Sequence, residues 1–234
     1  MQKKRFSFTK NYFEEQAWEK KLFVCGIDEA GRGCLSGPVV AAAAILPFNA
    51  SYKLLRDSKL MTKQERETAY LWITKNCFFS HAIIDHHIID ARNIYQATRL
   101  AMKKAFIQLL EIVPFSLEKI IYLLTDALPI QIPQSYSHNN IEQFNPTHGE
   151  SVSTSIAAAS IVAKVTRDRL MQRLSPVFPA FSFDEHKGYG TKTHTEALIS
   201  YRESIIHRKS FLSNFYKQIK DSEKNHAKQQ QTIC

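Results

Sequence analysis

Two adjacent carboxylates followed by closely spaced glycines are where this chain could do chemistry: Gly26-Ile27-Asp28-Glu29-Ala30-Gly31-Arg32-Gly33. The octet lies between the apolar runs 22–27 and 38–46. Two unit charges ~4 Å apart repel by roughly 4 kcal/mol at an effective dielectric near 20. Holding Asp28 and Glu29 at the end of a buried strand therefore needs a compensating cation, a shared proton or access to the surface. The glycines bring bare backbone N–H groups close to whatever binds beside the acids. Acid pair plus close-approach backbone points to a divalent metal and a phosphate-bearing substrate. The ordinary alternative is a solvated turn followed by a flexible loop.

Two further acids bear on that choice. Asp126 stands where the apolar run 119–125 stops, the place where open α/β sheets carry ligand-binding residues. A turn Asp before Ala127-Leu128-Pro129 is the bland reading. Glu150 precedes a long helical segment, where its ordinary task is to charge a helix N-terminus. Gathered with the first pair, these acids form a site of four negative charges that two divalent cations neutralise. Mg²⁺ suits it, because that ion accepts a few carboxylates and keeps waters for reaction. Asp168 competes for the fourth position, although its neighbours Arg167 and Arg169 make an ion pair its ordinary explanation.

The elements that must position these acids follow from the hydrophobic pattern. Apolar runs predict strands over 23–27, 39–46, 77–84 and 119–125, with a short edge strand at 143–146. The second run is nearly all apolar, so both of its faces are expected to be covered. Helices are expected around 13–20, over 62–74 behind a Thr62/Glu65 capping box, over 88–110, 151–174 and 193–200. Residues 127–142 and the aromatic stretch 178–189 read as loops. Strands alternating with helices predict an α/β layer structure.

The formal charge of +9 on 234 residues and a pI near 9.3 raise the expectation of a polyanionic partner. Part of the excess lies beyond residue 205, a stretch that ends in the Lys/Gln-rich segment 216–234, read as a disordered tail. Four cysteines without C-x-x-C or metal-ligand spacing fit a reduced, cytoplasmic protein. No run approaches a membrane span, and no apolar segment follows the basic N-terminus as it would in a signal peptide.

At this point Gly26 to Pro38 (GIDEAGRGCLSGP) resembles the signature of the bacterial type 2 ribonucleases H, the ribonuclease HII family. The likeness continues in Asp57-Ser58-Lys59, in the block 157–168 (AAASIVAKVTRD), in 186–191 (HKGYGT) and in 207–211 (HRKSF). It implies a ribonuclease H-like mixed five-stranded sheet flanked by helices, with a helical C-terminal portion. The expected organisation is an N-terminal arm over 1–20, a catalytic domain over 21–215 and the tail over 216–234. The resemblance further implies that Asp28, Glu29 and Asp126 are three of the family's active-site carboxylates. The fourth is Glu150 in His148-Gly149-Glu150-Ser151, where the family pattern carries Lys-Gly-Asp-Ser. Glu150 is one methylene longer than Asp, so metal preference or spacing could shift.

The implied reaction is hydrolysis of the RNA strand of RNA–DNA hybrids and cutting on the 5′ side of single ribonucleotides embedded in duplex DNA. Two Mg²⁺ or Mn²⁺ ions would serve, leaving 5′-phosphate and 3′-hydroxyl ends. The resemblance assigns ribose sensing to the backbone of Gly31, Arg32 and Gly33 and to Tyr189. Ser58, Lys59 and Lys187 are candidate phosphate contacts that position the duplex. His186 and His194 stay open between proton shuttles and hydrogen-bonded loop residues. A monomer is expected. The rival readings are a type 3 ribonuclease H, which carries an N-terminal substrate-binding domain for which some 20 residues before the first strand leave no room, and a non-catalytic hybrid-binding module. A module that had lost activity would lack Asp28, Glu29 or Asp126, and all three are present.

Overall fold

The run that carries the acid pair forms β1 (Phe23–Ala30), buried along nearly its whole length. The computed structural model describes residues 10–114, 119–132, 134–136, 141–213 and 215–217. β1 extends three residues further than its apolar pattern predicts. Asp28 and Glu29 lie inside the strand, opposite Ala42 and Ala41 of β2 (Val39–Ile45). The antiparallel ladder with β2 keeps the backbone extended where side-chain hydropathy alone would end it.

β3 (Phe78–Ile84), β4 (Ile120–Thr125) and β5 (Glu142–Phe144) complete a mixed sheet in the order β3-β2-β1-β4-β5. β2 pairs antiparallel with both of its neighbours, while β1–β4 and β4–β5 are parallel. Ala41 and Ala43 pack with Ala101, Phe106 and Leu109 of α3 (His86–Ile112). Ala42 and Ala44 pack with Ala158 and Val162 of α5 (Thr154–Leu174) and with Ile73 of α2 (Lys63–Asn76). Alternation along a strand sends neighbouring side chains to opposite faces, and alanines on both faces let two helical layers approach closely.

Several helices differ from their sequence patterns. The capping box at Thr62 and Glu65 forms as expected. α3 is broken at Asn93, which takes φ 66° and accepts a hydrogen bond from the amide of Gln96, starting a second helical segment. The helix expected over 151–174 is two, α4 (Gly149–Val152) and α5, because Ser153 is extended and caps Ile156. The helix near the N-terminus is α1 (Tyr12–Glu19). Its buried Glu14 accepts from the Ser153 hydroxyl at 2.5 Å and the Ser155 amide at 2.9 Å, fixing the start of α5.

The stretch 178–189 contains more order than its loop reading predicts. Short 3₁₀ turns lead into α6 (Phe183–His186), and Phe181 stacks on Phe183 at 5.5 Å. Aromatic packing holds these turns, which have no helical periodicity to reveal them. After α7 (Lys192–Tyr201) the chain returns to β1's end, with Ser36 bridged to His207. Residues 215–217 are still helical, and the rest of the expected tail, like residues 1–9 of the expected arm, lies outside the described residues. Among the described residues no helix is long and apolar enough to cross a membrane.

Candidate active site

The parallel register Ile27↔Thr125 sets Asp28 of β1 beside Asp126 at the end of β4. The Asp126 amide continues that ladder toward the Ile27 carbonyl at 3.4 Å. Both side chains lie on the α5 face, because Gly26 and Leu124, two residues earlier in each strand, meet Ser155 and Ile156 there. Asp28, Glu29 and Asp126 line a cleft of about 310 Å³ whose rim carries Gly31–Gly33, Lys59 and Tyr189.

Electrostatics in the cleft follow from burial. Asp28 is 3% exposed, and desolvation, then Glu29 and Asp126, push its carboxyl well above the usual range. One of its oxygens accepts the Glu29 amide at 2.7 Å. Ser160, whose hydroxyl is hydrogen-bonded to Ser58 at 2.7 Å, lines the same cleft and tempers the rise of Asp28. Burial raises Glu29 although Arg32 draws on it at 3.2 Å. Burial raises Asp126 too, opposed by the Gly149 amide, which donates to Oδ1 at 2.9 Å.

Glu150 lies behind the cleft, buried, with Oε1 taken by the Lys59 ammonium at 3.0 Å. Burial would lower Lys59, but Glu150, together with Asp28 and Asp57, holds the ammonium above its ordinary value. The second oxygens of Glu29 and Glu150 are buried and have no hydrogen-bond partner. Each acid is thus turned onto a nearby donor. Among the described residues no three His, Cys, Asp or Glu side chains are arranged to hold a metal ion as they stand.

The remaining sequence candidates divide. Ser58 lines the cleft, but its hydroxyl is committed to Ser160. Tyr189 sits at the rim, with Lys164 and Arg167 over its ring at 5.4 and 5.8 Å. Burial and the adjoining Cys34 thiol push its hydroxyl up to about 12. Lys187 does not line this cleft. It lines the neighbouring groove, and its ammonium donates to the Asp184 carbonyl. Asp168, the competing fourth acid, pairs with Lys164 at 2.9 Å, four residues earlier on α5, as its bland reading predicts.

Sequence reading missed Ser160, Lys164, Arg167 and Arg208 as parts of the site. Arg167 carried a faint signal, because it continues the i, i+4 series Ala159, Ala163 on the buried face of α5. All four lie in the blocks 157–168 and 207–211 that carry the family resemblance, which marked those stretches without singling out these residues.

His186 and His194 prove to be structural, together with His207. His194 donates from Nδ1 to the Tyr189 carbonyl and accepts at Nε2 from His207 Nε2, each at 2.9 Å. His207 in turn accepts the Ser204 amide at Nδ1. Every ring nitrogen is committed with neutral imidazoles, so a further proton would set N–H against N–H. Burial lowers both His194 and His207 to about 4. Their folded values lie below the unfolded ~6.5, so this contribution is complete above pH 6.5 and is lost as pH falls toward 4. Taken alone, this contribution lowers the melting temperature by about 5–10 °C between pH 7 and pH 4.5, against which the raised acids Asp28, Glu29 and Asp126 gain stability as they take up protons. His207→Asn should flatten that dependence, as pH-resolved thermal melts would read.

A mixed sheet in this strand order, with acids where its central parallel strands end, defines an α/β protein of the ribonuclease H-like class. The sequence model of the ribonuclease HII family matches residues 25–214. A ribonuclease HII of Bacillus licheniformis is 45% identical over 190 residues, covering 81% of this chain and 69% of its own. One from Caldicellulosiruptor saccharolyticus is 42% identical over 214 residues, covering 90% and 98%. Among solved structures, a chain of the PCNA:RNase HII complex from Archaeoglobus fulgidus superposes with a TM-score of 0.63 at 25% identity, covering 81% of this chain and 94% of its own. The chain belongs to the ribonuclease HII family, and is a ribonuclease H enzyme.

Proposed function

We propose that this protein hydrolyses the RNA strand of RNA–DNA hybrids and cuts on the 5′ side of single ribonucleotides embedded in duplex DNA, leaving 5′-phosphate and 3′-hydroxyl ends. The observation that carries the reading is the β1–β4 register, which sets Asp28 and Asp126 side by side in a cleft rimmed by glycines. Asp28, Glu29, Asp126 and Glu150 are the residues that would hold two divalent ions, Mg²⁺ or Mn²⁺. Their chemistry fits: all donors are hard oxygens, burial leaves the acids in want of positive charge, and Glu29 and Glu150 each keep an unpartnered buried oxygen. Bound there, such ions would supply an activated water and positive charge for the phosphate and the leaving oxygen.

The chain's own groups do the rest. Lys59 and Arg32 balance Glu150 and Glu29 and can exchange those acids for substrate phosphates. Ser160, held by Ser58, lies beside Asp28 in the cleft. The Gly31–Gly33 backbone approaches the ribose, and the Tyr189 ring packs against the neighbouring sugar. Lys187, in the adjoining groove, meets the duplex further along.

The test is a duplex with one embedded ribonucleotide, incubated with and without Mg²⁺ or Mn²⁺. The expected product is a single nick 5′ of the ribonucleotide, abolished by chelator. Undiminished cutting in chelator, or equal cutting of an all-DNA duplex, overturns the proposal.

A further inference from the structure

Two of the largest buried side chains in this protein are arginines. Arg167 and Arg208 are both fully buried, and neither is paired with a carboxylate among the described residues. A buried guanidinium is costly unless its donors are satisfied, and here backbone carbonyls satisfy them. Arg167 donates to Pro38, Lys187 and Ser36 at 2.9, 2.8 and 3.1 Å. Arg208 donates Nε to the Gly37 carbonyl at 2.9 Å, Nη1 to Arg32 at 2.9 Å and Nη2 to Gly31 at 2.7 Å.

The second set has a geometric consequence. In a trans peptide the carbonyl of one residue and the N–H of the next point in opposite directions. Drawing the Gly31 and Arg32 carbonyls inward onto one guanidinium turns the amides of Arg32 and Gly33 away from it. Neither amide has an acceptor among the described residues. Gly31, Arg32 and Gly33 all border the cleft, and a side chain at Gly33 would meet nothing within 4 Å. Two adjacent donors are therefore presented to open space beside the acids.

We infer that Arg208 is a positioning residue for ribose recognition: its planar fork sets the Gly31–Gly33 peptides so that two backbone N–H groups face the substrate sugar. Arg208 acts from 171 residues or more away in sequence, through the loop, and need not touch substrate. Burial lowers it only to about 10, so the fork is charged throughout the neutral range. The segment around it is stitched to the same loop by backbone bonds, Arg208 N–H to Leu35 and Gly37 N–H to Ile206, each at 2.9 Å. Those backbone bonds hold the loop in place without the Arg208 side chain, and leave the guanidinium to set the peptide planes. Lysine keeps the charge but cannot fork to three carbonyls.

This inference rests on the proposed reading of the cleft as a ribonucleotide site, and the experiment separates the two. Binding of a duplex with one ribonucleotide is compared with binding of the all-deoxy duplex, in an Asp28→Asn background that does not cut. Arg208→Lys is expected to lose tenfold or more of the ribose preference, while affinity for the all-deoxy duplex changes less than threefold. The amide resonances of Arg32 and Gly33 should shift in the same variant without substrate. Leu109→Ala, in the α3 core, is the control for simple destabilisation and should keep the full preference. An Arg208→Lys protein that still discriminates as its parent does overturns the inference alone. A parent that binds both duplexes alike overturns the reading of the site, and the inference with it.

Discussion

Replacing Asp126 or Asp28 with Asn is expected to lower the cutting rate by about 10³-fold or more while raising the melting temperature. The amide is nearly isosteric, so the packing against α5 and the Gly149 hydrogen bond can survive. What disappears is negative charge where the proposed reaction needs it. The stability gain follows from the same charge. Asp28 is buried beside Glu29 and Asp126 with its carboxyl held above its usual range, so the folded state bears repulsion that unfolding relieves. Removing one carboxylate removes that strain, on the order of 1 kcal/mol or about 2–4 °C for a chain of this size. Duplex affinity should stay within threefold, because the rim contacts are untouched. Single-turnover cleavage, a binding titration and a thermal melt on each variant read the three quantities. Loss of activity accompanied by loss of stability would place these acids in the scaffold instead.

Gly26→Ala is expected to abolish folding or to cost at least about 3 kcal/mol. A Cβ at this position would lie 2.2 Å from the Ser155 carbonyl carbon and 2.3 Å from the Ile156 nitrogen. These are backbone atoms at the start of α5, which Glu14 and Ser153 hold by hydrogen bonds to the Ser155 and Ile156 amides. No rotamer change can relieve the clash, so the helix must leave the sheet, and Ser160 with it. Gly33→Ala provides the contrast, since its added methyl meets nothing within 4 Å. That variant should melt within about 1 °C of the parent and show its effect in ribose discrimination, where an extra methyl stands between loop and sugar. Circular dichroism melts distinguish the two glycines directly. A stable Gly26→Ala protein would mean that β1 and α5 are further apart than 2.2 Å from a Cβ allows.

Much of this molecule could be read along the chain because local physics reports locally. Apolar runs marked the four main strands, the Thr62/Glu65 spacing marked a helix start, and Asp28, Glu29 and Asp126 stood out as charges at the ends of apolar runs. Other features depend on partners distant in sequence and left no local trace. β1 continues through its own acids because β2 lies alongside. Lys59 meets Glu150 across 91 positions, and Arg208 meets Gly31 across 177. Asn93 breaks α3 inside an unbroken helical pattern, and His186 and His194, which left a proton-shuttle reading open, are taken up by carbonyls and by His207.

The sequence by itself determined the main strands and most helices, the charges available for chemistry and the family, because hydropathy period, charge and motif spacing are properties of neighbours. Tertiary structure alone decided which acids share a cleft, which are already paired and which way the loop peptides face. Those outcomes are set by strand register and by hydrogen bonds that close only after distant segments have packed.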